Sequence, residues 1–299
     1  SGSRAAVLGG VTALFEMPNT NPPTSNLVEF DKKLQAAKNR MHSNYAFYFG
    51  ATPDNTDQLA QLKDVEGCCG VKLFAGSSTG NLLVDKEADI EKVISSSDRI
   101  VSIHSEDEDI IKLRKKFIKK GDVHSHAEWR NVEVAMSSTR RVVKIAERYN
   151  KKIHVLHVTT REEVDFLAMH KKNVTFETTP QHLTMFAPDC YDKLGTYAQM
   201  NPPLRTKEHY DRLWVAIKNN IVDVLGSDHA PHLKENKDKL PFCLYVTNSV
   251  QEEIGLRGAE MITNTLKPDL AIVTDVTHDT STPMIEAKKQ GDAKIGKGP

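Results

Sequence analysis

Seven short apolar runs recur along the chain, and longer amphipathic stretches separate them. The runs are VTALFEM (11–17), YAFYFGA (45–51), GVKLFAG (70–76), RIVSIHS (99–105), KIHVLHV (152–158), NVTFETT (173–179) and IVDVLGS (221–227). Their length and their β-branched and aromatic content predict strands. LVEFDKKLQAAKNRM, STRRVVKIAERY and KEHYDRLWVAIKNN carry apolar residues at helical spacing, which predicts covering helices. The alternation predicts a parallel sheet packed against helices. Strands this apolar fit a sheet buried on both faces.

A doubly wound sheet and a closed barrel both satisfy that pattern. The polar residues discriminate between them. Asn19, Lys72, His104, His157 and Asp228 fall at or just beyond the C-terminal ends of five different strands. A TIM barrel gathers its site from many strand ends, whereas a doubly wound sheet uses one switch point. The expected fold is therefore α/β, an incomplete TIM (β/α)8-type barrel. It is counted at seven strands with the first expected ahead of residue 1. The chain opens at Ser1 within a helical SRAAVLGG and without a methionine, which reads as a cut. Composition shifts over LKENKDKLP (233–241), and a strand, a helix, a further strand and a Gly/Lys-rich tail follow. The expected division is a barrel over 1–237 and an appended α/β fragment over 238–299.

Forty basic and forty acidic residues in 299 give a formal net charge of zero. That balance offers no reason for a nucleic-acid or anionic-membrane partner. No apolar run is long enough to span a bilayer, and no signal segment opens the chain. Cys68, Cys69, Cys190 and Cys243 form no CxxC pair, so a cytoplasmic, reducing setting is expected. A small-molecule substrate is the remaining partner class, with a homodimer among the assemblies open to the chain.

A lone histidine at a strand end is more often a hydrogen-bonded structural residue than a ligand. His104 and His157 at two strand ends, with Asp228 at a third, shift the balance toward a metal. Imidazole with carboxylate suits zinc and leaves room for a hydrolytic water. Lys72 lies among apolar residues in GVKLFAG. It either snorkels to water or has a depressed pKa, in which case its neutral amine could add carbon dioxide. GSSTGN (76–81) lacks the GK[ST] ending of a phosphate-binding loop and reads as a barrel loop. MPNTNPPTSN (17–26) reads as a turn, although the Asn19 amide could pair with a substrate amide or carboxylate.

GGVTALFEMPNTNPP, GVKLFAGSSTGNLLVD, IHSEDE, HVLHVTT, ETTPQHL, MNPPLR and GSDHAPH together resemble dihydroorotase, of the cyclic amidohydrolase superfamily. The resemblance covers about residues 1–237, and HAPH is shared with allantoinases and hydantoinases. It implies two zinc ions bridged by a carboxylated Lys72. It also implies His104 and His157 as ligands of the second zinc, and Asp228 as a ligand of the first and as the general base. Asn19, His232 and, more weakly, Asn201 would contact the substrate. The implied reaction is reversible closure of N-carbamoyl-aspartate to dihydroorotate in pyrimidine biosynthesis.

Two departures qualify this. The family's HxHxR motif does not precede MPNT, and HSH (124–126) is a poor replacement. One zinc or none, and impaired activity, are therefore expected. Beyond residue 240, LPFCLYVTNSVQEEIGLRGAEMI and KPDLAIVTDVTHDT resemble part of a co-catalytic zinc aminopeptidase. There Glu252 would match the general base, and Glu253 and Asp275 metal ligands. An acidic pair at a helix start is the ordinary alternative. The other ligands of that site lack counterparts, so no peptidase activity is expected. The competing descriptions are an allantoinase- or hydantoinase-type enzyme, a catalytically inactive barrel, and a join of two gene fragments.

Overall fold

The computed structural model describes residues 2–77 and 81–230. The chain divides into two units, Ser1–Thr247 and Asn248–Pro299, and all described residues lie in the first. The boundary expected at 237/238 falls outside the described residues, as do His232, Glu252, Glu253 and Asp275.

All seven predicted strands form: β1 (Ala13–Glu16), β2 (Asn44–Gly50), β3 (Cys68–Phe74), β4 (Val101–His104), β5 (Ile153–Val155), β6 (Val174–Thr178) and β7 (Val224–Leu225). They join in one sheet in sequential order, β1 to β7, and every neighbouring pair is parallel. A doubly wound sheet would reverse direction at a switch point. This one never does, so it curls as a partial barrel with its helices outside.

Successive residues of a strand point to opposite faces. Val71, Leu73, Val101, Ile103, Ile153, Val155, Val174 and Phe176 face the helices and are almost completely buried. Against them pack Ile90, Val93 and Ile94 of the helix Glu87–Ser96, and Val142, Val143 and Ile145 of the helix Val132–Arg148. Val164 and Leu167 of the helix Arg161–Ala168 complete that layer. Each such side chain contributes about 1.5–3 kcal/mol by leaving water. Helix starts are fixed locally. Asn131 Oδ1 accepts from Val134 N at 3.3 Å, and Thr160 Oγ1 accepts from Glu163 N at 3.1 Å.

The other face is polar. Register aligns Gly50 with Lys72, Lys72 with Ser102, Ser102 with His154, and His154 with Thr175. That row turns toward the barrel interior.

Two expectations need correction. Burial on both faces holds through the centre of the sheet, drops to half-burial on the polar face of β6, and fails at the edges. Phe15 of β1 is 62% exposed and Leu225 of β7 is 61% exposed. Each edge strand has a described neighbour on one side only, so half its surface lacks cover. β5 also ends at Val155, and the chain leaves the strand before His157, which has φ 38°. Among the described residues, no helix is long and apolar enough to cross a membrane.

Candidate active site

β3 delivers Lys72 to the interior face, where it is 2% exposed and its Nζ lies 4.3 Å from the Phe74 ring centroid. Burial pulls its amine down to about 7, against the opposing pull of the Asp228 and Glu177 carboxylates. Of the two readings open to Lys72, the structure supports the depressed pKa. A sizeable fraction of the amine is neutral near pH 7, and a neutral amine is a nucleophile.

His104 closes β4 and His157 follows β5. Their rings meet edge to face, with His104 Nδ1 3.0 Å from His157 Nε2. Burial lowers both imidazole pKa values, for His157 to well below its ordinary value, so both rings are neutral and present lone pairs. His157 Nδ1 is buried and has no hydrogen-bond partner among the described residues. Two nitrogens bound at about 2.05 Å around a tetrahedral ion would stand roughly 3.3 Å apart. The observed convergence is close to that spacing, so the donor set fits a metal.

Asp228 stands just beyond β7, on the solvent side, with φ 45°. The surrounding protein raises its carboxyl pKa, while Lys72 and His104 pull it back. Those couplings place its charge in the same cluster. Gly226 makes this approach possible, because a Cβ there would lie 2.4 Å from the Glu177 carboxyl carbon. His157 and Asp228 are both non-glycine residues in the left-handed region, a strained conformation that concentrates at functional sites.

Two of the other candidates, Asn19 and Asn201, are among the described residues. Asn19 is exposed, three residues past β1. Asn201 is exposed. His126 is a buried structural residue, bonded through Nε2 to Met200 O at 2.9 Å, while His124 pairs with Asp192 at 3.1 Å. HSH is therefore no metal pair. Glu162, Glu208 and His209 also bring ligand atoms within 4.8 Å of one another. Arg161 pairs with both carboxylates, however, and its N–H donates to His209 Nδ1 at 2.9 Å.

Sequence reasoning missed four residues around the cluster. His104 Nε2 lies 2.8 Å from Glu106 Oε2, and Arg130 grips both oxygens of that carboxylate. On the other side, Glu177 takes His154 Nε2 at 3.2 Å and the His157 N–H at 3.4 Å. SEDE looks like a solvated charge run, and Arg130 is 24 residues away from Glu106. The available signal was an acid two residues beyond a strand-end histidine, where a histidine ligand finds its supporting carboxylate.

Comparison with known proteins bears on what this site is. A dihydroorotase of Methanosarcina mazei is 31% identical over 251 residues, covering 79% of this chain and 54% of the relative. The Pyrococcus furiosus dihydroorotase is 35% identical over 240 residues, covering 80% and 51%. An L-hydantoinase of Paenarthrobacter aurescens is 29% identical, covering 79% and 53%. Among solved structures, the L-hydantoinase (dihydropyrimidinase) from Arthrobacter aurescens superposes with a TM-score of 0.75 at 26% identity, covering 90% of this chain and 62% of that one.

This chain is related to the cyclic amidohydrolases. It spans about half the length of the curated relatives it matches. The tail is similar to a different family. The model of the M42 glutamyl aminopeptidases matches residues 228–299, which contain the stretch whose motifs resemble that class. The amidohydrolase relatives carry dihydroorotase and hydantoinase names, and both are hydrolases of cyclic amides.

Proposed function

We propose that this chain carries a zinc-dependent cyclic amide hydrolase site of dihydroorotase type, which interconverts N-carbamoyl-aspartate and dihydroorotate. The supporting observation is the convergence of Lys72, His104, His157 and Asp228 at the ends of four different strands. Dihydroorotases predominate among the curated relatives, which favours dihydroorotate over a hydantoin.

Lys72, as a carbamate, would hold the ion together with His104 and His157, and Asp228 would stand beside it. When bound, the ion supplies Lewis acidity, lowering the pKa of a water and polarising a carbonyl. The protein's own residues do the rest. The walls around Lys72 hold its amine partly neutral, so that it can add carbon dioxide. The two imidazoles stay unprotonated and keep their lone pairs facing inward. Asp228, whose pKa burial raises, would take a proton from the attacking water and return it to the leaving ring nitrogen. Its position on the solvent side lets the substrate reach it. Asn19, Asn201 and His232 are proposed substrate contacts.

These donors make up one metal's worth, so one tightly bound zinc per chain is proposed, with low activity. Metal analysis of the purified full chain, with ring-opening assays on dihydroorotate and hydantoin, tests this. One zinc and weak activity on dihydroorotate support the reading. Two zinc ions per chain, or turnover of hydantoin alone, overturn it. The aminopeptidase alternative draws on the family match over residues 228–299, and its residues Glu252, Glu253 and Asp275 lie outside the described residues.

A further inference from the structure

Glu106 is fully buried and Arg130 is 2% exposed. The Arg130 guanidinium engages both oxygens of Glu106 through two separate N–H donors, the pairing of a carboxylate, and a carboxylate only accepts hydrogen bonds. Arg130 Nε reaches Oε1 at 3.1 Å and Nη2 grips Oε2, which also meets His104 Nε2 at 2.8 Å. A neutral imidazole carries one proton. If Nε2 holds it, Nδ1 is left as a lone pair, and Nδ1 is the atom that faces His157.

The clamp also ties the strand ends together. Arg130 Nη1 donates to Ser77 Oγ at 2.5 Å, on the loop that follows Lys72's strand. Arg205 Nη1 donates to the Arg130 carbonyl, and its Nε to Thr159 Oγ1 at 3.1 Å. A Cβ on Gly76 would lie 2.5 Å from the Glu106 carbonyl oxygen, so glycine lets these two loops meet.

We infer that Glu106, anchored by Arg130, is a positioning residue that fixes His104 as its Nε2–H tautomer and so aims the Nδ1 lone pair at the metal position. The metal half of this inference rests on the function proposed above; the tautomer half does not. Glu106→Gln sharpens it. Arg130 can only donate, so it takes the amide oxygen of a glutamine as its acceptor, which turns the amide NH2 toward His104. An NH2 donates to Nε2 and drives the ring to the Nδ1–H tautomer, which has no lone pair facing inward.

Long-range 1H–15N correlation spectra of the metal-free, 15N-labelled full chain read the tautomer directly, with His104 assigned by its loss in His104→Gln. The wild-type chain should show Nε2–H, and Glu106→Gln should shift the ring to Nδ1–H. Competition titration should then show zinc affinity falling about 10–100-fold. An Nδ1–H signal in the wild-type chain overturns the inference even if the variant fails to fold. So does a folded Glu106→Gln that keeps the Nε2–H tautomer. Failure of the wild-type chain to bind zinc would overturn the metal reading, whereas the spectra decide the positioning role in either case.

Discussion

On the helix-facing side of β3 to β6, Leu73, Ile103, Val155 and Phe176 are completely buried and wholly apolar. On the opposite side, the same four strands carry Lys72, Ser102, His104, His154, Thr175 and Glu177. The first face is held by removal from water and needs only volume and shape. The second has to satisfy each polar atom individually. Ser102 Oγ meets Tyr48 Oη at 3.2 Å, and His154 Nδ1 meets Thr175 Oγ1 at 2.9 Å. A buried polar atom without a partner costs about 1–3 kcal/mol, so His157 Nδ1 marks a place where the fold alone does not account for the residue. One sheet thus separates stability from chemistry by alternation along its strands.

Breaking the apolar face should cost the most. Phe176→Ala removes a fully buried ring between sheet and helices, and is expected to destabilise the chain by about 3–5 kcal/mol in urea unfolding. A loss below about 1 kcal/mol would mean that the two faces share the load.

Acid should attack the buried histidines next. Burial pulls His182, on the short helix Pro180–Thr184 that follows β6, down to about 4, and burial also lowers His104 and His157. A folded pKa below the ordinary 6.5 means that the unfolded chain takes up the proton first. Stability is therefore fully present above pH 6.5 and lost as pH falls toward 4. By linkage His182 alone accounts for about 3 kcal/mol. Glu106, held at about 2, adds a further loss below its ordinary 4.5. Unfolding midpoints measured between pH 7 and pH 4.5 check the histidine window. A flat profile there would show that these rings are protonated in the folded chain.

How much of this contrast the sequence reveals depends on the range of the interaction. Apolar runs fix strand positions locally, so all seven strands were legible, and strand-end placement exposed Lys72, His104 and His157. The strand limits were less legible. β5 stops before His157, whose backbone turns into a conformation held by Glu177 from the next strand. The supporting residues were not legible at all. Glu106 and Arg130 meet across 24 residues, and His154 and Glu177 across 23, so their roles arise only when the loops fold together.

Lys72→Met separates the two faces at a single position. Methionine keeps most of the volume and removes an ionisable group from a buried site, so stability at pH 7 should hold or rise. Zinc affinity should fall by more than about 100-fold, because loss of a ligand exceeds loss of a supporting residue. Parallel melts and metal titrations read both effects. A clear loss of stability with zinc binding intact would make Lys72 a structural residue.

The smallest effect is expected at the sheet edge, and it tests whether the contrast belongs to the face or to burial itself. Phe15 pairs with Ala46 in β2, and so points to the same side as Tyr48 and Lys72, yet it is apolar and 62% exposed. If burial sets the stake, Phe15→Lys should change stability by no more than about 0.5 kcal/mol. The added charge would also discourage pairing of this edge with another copy, because lysine is a common guard of open strands. Urea unfolding and sedimentation at two concentrations measure both. A cost above about 1 kcal/mol would mean that Phe15 is covered in solution. A wild-type dimer that Phe15→Lys dissociates would place that cover in a second copy of the chain, seated on β1.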